Sequence, residues 1–397
     1  MKILVLLSRV PYPLEKGDKL RAFHQIKELA KRHKVVLFAI NEGSLHPDAI
    51  HILESFCSRV VIMQHSRFTI IVNTIKAFLK GKPAQTGYFF SQKSCDELHM
   101  VFNEERPDHV YCQLARMAEY THKMHVEKTI DYMDVFSEGL RRRIQGSSGI
   151  KRFFFKKEHE RMKRYENHVF DLFQNHTIIS LPDRNLIPHI RRAEISVIEN
   201  GVDTEFYSRE NYMSESGKKV QPEYDLVFTG NMNYPPNIQG ALFLVKEIMP
   251  VLKSKGYHLK CLIAGATPAQ EVKALASSDV TVTGWVDDIR ESYASGSIFI
   301  APMLIGTGLQ NKILEAMSMG LPCITTSLAF EPLNAKADYH ILVGNSAEEL
   351  ADKVIFLKQN DAVANQMVVN ARDFVESNYS WSVAGQKLEK VILGGRV

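Results

Sequence analysis

"SIFIAPMLIGTGLQNKILEAMSMGLPCITT", residues 297–326, decides the fold. SIFIAPM (297–303) and PCITT (322–326) are apolar runs of strand length. Between them Gly306 and Gly308 lead into a helical pattern that has Gln310, Asn311 and Lys312 in its first turn and Glu315 in the next. Strand, glycine loop, helix and strand make a βαβ unit, and hence a parallel sheet wound right-handed.

The same alternation extends in both directions. Strand-like runs at 2–7 (KILVLL), 34–40, 59–63, 109–113, 128–133 and 177–181 are separated by helical stretches, of which 19–31 is the first. The series then restarts with YDLVFTG (224–230), a helix from Asn237, LKCLIAG (259–265), a helix through 276, and strands at 280–286, 297–303, 322–326 and 340–344. The fold class is therefore α/β, with two doubly wound units in succession. Pro182, Pro188, Asn200 and Gly201 interrupt the pattern and mark the junction. The expected division is 1–195 for the first domain, 196–378 for the second, and a final helix over 379–397 that rejoins the first, with Ser380 as its N-cap.

Composition narrows the class of function. The 397 residues carry a net charge of +4 from 49 basic and 45 acidic side chains, too little for a nucleic-acid-binding protein. Five cysteines without a C-x-x-C pair argue for a reducing compartment and against a disulfide framework or structural zinc. No apolar run approaches the ~18 residues of a membrane span. The expectation is a cytoplasmic protein, with peripheral membrane contact as a further reading. His122 and His125 form an H-x-x-H that reads as an exposed turn rather than a zinc site.

In open α/β sheets ligands lie beyond the carboxyl ends of strands. Glycines at 306 and 308 let a ligand approach the backbone. A helix start offers free N–H groups and partial positive charge, which suits phosphate, and Lys312 adds a full charge. Glu315 lies on the face shared by Asn311 and Lys312. One turn is ~5 Å along the axis, roughly the offset from a diphosphate to a ribose. A carboxylate can accept both hydrogen bonds of a diol. The inferred ligand is a nucleoside diphosphate derivative, with phosphates at Gly308, Leu309, Gln310, Asn311 and Lys312 and ribose at Glu315. Neither the P-loop pattern nor G-x-G-x-x-G is present.

These residues carry a family likeness. The chain resembles the GT-B-fold glycosyltransferases of the retaining family 4 type, and among them the bacterial sugar transferases associated with exopolysaccharide and exosortase gene clusters. The likeness rests on SRVPYPLEKGDKLR (8–21), DYMDVFSEG (131–139), ENGVDTEFY (199–207), FTGNMNYPPN (228–237), TVTGWVDDIR (281–290) and the 306–326 block. It implies two Rossmann-like domains facing across a cleft, the second holding a nucleotide-sugar donor and the first a saccharide or lipid-linked acceptor. It also implies no cofactor and no obligatory metal, and the sequence holds no D-x-D triplet.

By the resemblance Glu315 binds ribose, Lys312 and the amides near Gly308 clamp the diphosphate, and the backbone at Trp285 and Val286 shelves the base. Gly17 and Asp18 are the first domain's share of the donor site. Two positions depart from the family. Thr307 stands where the first glutamate of E-x7-E would be, and the loop GNMNYPPN lacks the usual Arg and Lys, leaving Asn231 or Asn233 to supply hydrogen bonds. Lys312 also serves the chemistry, by stabilising charge on the leaving diphosphate. Asp134 takes the place of a catalytic-domain histidine, with Asp131 as its rival. Arg9, Lys16, Arg21 and Asp131 are the acceptor-side candidates.

Two other functions share this architecture: a non-hydrolysing nucleotide-sugar epimerase, and a non-catalytic nucleotide-binding scaffold of polysaccharide assembly. Residues 141–164, with ten Lys/Arg, and 67–82, with four, mix cations with apolar residues. Such stretches suit an anionic membrane surface or ordinary solvated helices.

Overall fold

The computed structural model describes residues 1–217, 221–306 and 308–397. Thr307 lies outside them. The chain divides into two compact units, Met1–Asn200 with Trp381–Val397, and Gly201–Ser380.

Unit 1 is built on seven parallel strands: β1 (Lys2–Leu7), β2 (Lys34–Asn41), β3 (Arg59–Gln64), β4 (His109–Gln113), β5 (Glu127–Asp131), β6 (Asn175–Ile178) and β7 (Ser196–Val197). Their order across the sheet is β3-β2-β1-β4-β5-β6-β7. Both faces of this sheet are covered, which is why KILVLL is apolar throughout rather than alternating. Leu4, Leu6, Val36 and Phe38 enter one core. Ile3, Val5, Leu7 and Leu37 enter the other.

Six helices position the side chains of interest: α1 (Gly17–Ala30), α2 (Arg67–Leu79), α3 (Gly149–Phe170), α4 (Pro235–Phe243), α5 (Asn311–Ser318) and α6 (Trp381–Ile392). Helix α6 starts directly after Ser380 and packs on unit 1. Trp381 and Leu388 join the second core. The Trp381 ring stacks on His24 with centroids 4.7 Å apart. A Cβ on Gly385 would come within 2.5 Å of Glu28, so only glycine allows α6 this close to α1.

Among the described residues of unit 2 there are six parallel strands, β8 (Tyr224–Thr229), β9 (Cys261–Ala264), β10 (Val280–Val282), β11 (Gly296–Ala301), β12 (Cys323–Thr325) and β13 (Leu342–Val343). Their order is β10-β9-β8-β11-β12-β13. In each sheet the winding reverses beside the first strand, between β1 and β4 and between β8 and β11. This is the doubly wound arrangement whose ligand crevice forms at the reversal.

The local differences from the sequence reading have physical causes. The units part after Asn200, not 195, because β7 still pairs with β6. That two-residue edge strand is too short to show a hydrophobic period. The helix expected through 276 is confined to Gln270–Lys273. The helix expected from Asn237 begins earlier, since Pro235 opens it at a position where a missing N–H costs nothing.

Candidate active site

The site in unit 2 sits at the carboxyl ends of β8 and β11. After Ala301 the chain reaches Gly306 and Gly308, with φ of +107° and +95°, values that L side chains resist. Among the described residues, no atom beyond its chain neighbours lies within 4 Å of where a Cβ on Gly308 would stand. Helix α5 then starts. Gln310, at its N-cap position, makes no side-chain cap bond, so no side chain of the cap residue claims the first-turn amides. Its amide instead donates to Gly308 O at 3.3 Å. Leu309, Gln310 and Asn311 are half-buried.

Lys312 points back to β8. Its Nζ donates to Asn237 Oδ1 and lies 5.1 Å from the centre of the Phe228 ring. Asn237 Nδ2 in turn donates to Asn231 O at 2.9 Å. A Cβ on Gly230 would stand 2.7 Å from the Asn237 amide and 3.3 Å from Lys312 Nζ, so that position must stay bare. Burial pulls the Lys312 pKa down to about 8, with Glu315 opposing the shift.

Glu315 is one turn on, held by aromatic hydroxyls. Tyr293 donates to its Oε2 at 2.8 Å. The same hydroxyl lies 2.8 Å from Thr229 Oγ1 at the end of β8. Burial raises the Glu315 pKa, while Tyr293, Lys312 and Tyr207 favour the charged form. A cation and a carboxylate are thus fixed one turn apart in the first turns of α5.

Asn231, Trp285 and Val286 lie on neighbouring loops of this unit. The Asn231 side-chain oxygen accepts from Asn233 N at 3.0 Å and Thr267 Oγ1 at 3.1 Å, so it ties the loop after β8 to the loop after β9. Trp285 is exposed, 74 % accessible, after β10, and Val286 is half-buried.

In unit 1, Gly17 opens α1 and Lys16 stands exposed before it. Asp18 is held by Arg9 at 2.6 Å and Arg116 at 3.5 Å. Arg9 also reaches Glu42 at 3.4 Å. Burial and the neighbouring Arg9 lower the Arg116 pKa to about 10. Asp134 is exposed on the loop after β5. Its neighbour Met133 adopts φ +56°, and the Met133 methyl lies 3.5 Å from where a Cβ on Gly17 would be. The loops after β1 and β5 therefore meet.

Arg21 and Asp131 require correction as acceptor contacts, and Asp131 also as a rival to Asp134. Both side chains are wholly buried. Arg21 Nε and Nη2 donate to the two carboxylate oxygens at 2.6 and 3.3 Å, and Nη1 donates to Asn200 Oδ1 at 2.9 Å. Tyr111 Oη lies 3.0 Å from Asp131. Burial opposes the Arg21 charge, but Asp131 outweighs it and holds the guanidinium above its usual range. The pair ties α1 to β5, and neither side chain is exposed to a substrate.

Sequence reasoning missed the holders: Tyr293 and Thr229 for Glu315, Asn237 for Lys312. Asn237 closes the FTGNMNYPPN stretch that also holds Asn231 and Asn233. Tyr293 carried no signal, being one aromatic residue in a helical run.

Residues 223–360 match the family model Glycosyl transferases group 1. The match lies within unit 2 and carries a group 1 glycosyltransferase signature there, and the chain has the fold of two doubly wound units known as GT-B. It is 23% identical over 393 residues to an uncharacterized 44.6 kDa protein in the cps region of Klebsiella pneumoniae, spanning 95% of this chain and 96% of that one. It is also 23% identical over 204 residues to phosphatidyl-myo-inositol mannosyltransferase of Mycobacterium leprae, covering 49% of this chain and 52% of that protein. Among solved structures, Anabaena HepE in complex with UDP aligns over 99% of this chain and 100% of that one, with a TM-score of 0.63 at 15% identity.

Proposed function

We propose that the protein transfers a hexose from a nucleoside-diphosphate sugar to a saccharide or lipid-linked acceptor, with retention of configuration, in building a cell-surface polysaccharide. The observation that carries this reading is the Lys312–Glu315 pair, fixed one turn apart at the carboxyl ends of β8 and β11. The complexes of HepE with UDP and UDP-glucose support a nucleotide-sugar donor. The Klebsiella relative supports the polysaccharide setting.

In this reading the ribose diol donates to Glu315 and the diphosphate meets Lys312 and the first-turn amides of α5. The bond from the anomeric carbon to phosphate breaks, and a bond to the acceptor oxygen forms on the same face. The acceptor proton passes to the departing phosphate, so no protein nucleophile is needed. Lys312 stabilises the charge that develops on the diphosphate. Asp134 is the carboxylate offered to the acceptor hydroxyl.

Thermal-shift titration with UDP, GDP, ADP, CMP and TDP, repeated on Glu315→Ala and Lys312→Ala, tests the nucleotide site. One diphosphate should stabilise the parent strongly and both variants weakly. Equal stabilisation of all three proteins would put the nucleotide elsewhere. Activity should survive EDTA, and the product's anomeric coupling in NMR should match the donor's.

A further inference from the structure

Helix α2 has two apolar faces. Its inner face packs on the helix Ala84–Phe89, so closely that a Cβ on Gly87 would stand 2.3 Å from Asn73 O and 2.6 Å from Ala77 Cβ. Its outer face carries Phe68, Ile71, Ile75 and Leu79, spaced by three, four and four residues and therefore in one line. All four are exposed, Phe68 and Leu79 by 77 % and 78 %. A helix that is apolar all round is normally buried on both sides.

The stripe continues onto α3. Phe78 stacks on Phe154, centroids 5.9 Å apart, and Arg161 lies 4.1 Å over the Phe78 ring. Beside Phe154 stand Ile150 and Phe153, 89 % and 70 % exposed. The border of this surface is cationic, with Arg67, Lys76, Lys80, Lys151, Arg152 and Lys156 all exposed. No acid occurs in residues 67–82 or 139–157. The next acid, Glu158, is turned inward, accepting from Ala84 N at 2.7 Å and Arg161 at 3.2 Å.

We propose that this α2–α3 face is the surface by which the protein sits on an anionic lipid bilayer. Its apolar side chains enter the headgroup–acyl boundary and its cations pair with lipid phosphates. A second protein copy would bring its own like charges against the rim, whereas an anionic bilayer is complementary to it. The helix α2 leaves the carboxyl end of β3, the same sheet edge from which the β1 loop carrying Lys16 emerges. A bilayer there would lie beside that loop, as a lipid-linked acceptor requires. The docking itself does not depend on the enzymatic reading.

The test is co-sedimentation of the full chain with phosphatidylcholine vesicles with and without about one-third phosphatidylglycerol. The parent should bind the anionic vesicles at least ~tenfold better, and high salt should weaken this binding. Phe68→Ser with Leu79→Ser, and separately Lys151→Glu with Arg152→Glu, should each reduce binding by ~tenfold or more. These positions are exposed, and an unchanged melting temperature and nucleotide-induced thermal shift would show that the variants fold and that the donor site is intact. Equal binding by parent and variants, or indifference to lipid charge, would overturn the proposal. So would a dimer of the free chain, seen by light scattering, that the Phe68/Leu79 variant abolishes.

Discussion

The hydroxyl of Tyr293 donates to Glu315 Oε2 at 2.8 Å and lies equally far from Thr229 Oγ1. One phenol thereby links helix α5 to the end of β8 and aims the carboxylate. Removing the carboxylate in Glu315→Ala should weaken nucleoside-diphosphate binding by about 10- to 100-fold, the worth of charged hydrogen bonds to a diol. Tyr293→Phe leaves the carboxylate but not its aim, and should cost roughly three- to tenfold. Isothermal titration calorimetry of both variants would check this order. A Tyr293→Phe loss as large as that of Glu315→Ala would mean that the phenol itself contacts the ligand.

Lys312 brings a pH dependence with a definite sign. Its pKa is lowered to about 8, so the free protein carries the cation below that pH and loses it above. A bound diphosphate favours the protonated form. Affinity should be level below pH 7 and fall as pH rises through 8, with protons taken up on binding. Lys312→Arg should remove the fall, since arginine stays charged throughout. Titrations between pH 6.5 and 9.5 in buffers of different ionisation enthalpy would show both effects.

The Arg21–Asp131 pair predicts a stability effect. Both members are fully buried, so deleting one strands the other's charge. Arg21→Ala or Asp131→Ala should each destabilise unit 1 by about 3–5 kcal/mol. The double replacement Arg21→Met with Asp131→Leu should recover much of that loss. Chemical denaturation would measure these differences, and additive effects of the two single alanine replacements would refute a direct pair.

Glu166 offers a second titration, unrelated to the ligand. The side chain is fully buried and accepts from Ser137 N at 3.2 Å, at the start of the helix Phe136–Gln145. Burial raises its pKa from 4.5 to about 7. Between those values the folded state holds a proton that the unfolded chain has released. The resulting stabilisation is complete below pH 4.5 and is lost as pH rises to 7, amounting to about 3 kcal/mol. Glu166→Gln should be more stable than the parent above pH 7 and should flatten this segment of the stability curve.

Much of the architecture was legible because parallel strands buried on both faces write themselves as unbroken apolar runs, as in KILVLL and KVVLFAI. The glycine loop and the start of α5 were legible too, since positive φ and a helix N-terminus have sequence signatures. Pairing partners were not. Nothing near Arg21 announces Asp131, which is 110 positions away, so two buried structural charges looked like surface contacts. The same holds for Tyr293, 22 positions before Glu315. Periodicity reports which face a residue occupies but not which distant side chain meets it.

Helix α6 has a consequence for biosynthesis. Unit 1 is finished only when Trp381 and Leu388 seat against the core that holds Val5 and Leu37. The ribosome must make all of Gly201–Ser380 before that helix emerges. Unit 2, contiguous in sequence, can mature during translation, while unit 1 waits with an apolar flank uncovered. Nascent chains stalled ahead of residue 381 should therefore be the form that chaperones retain.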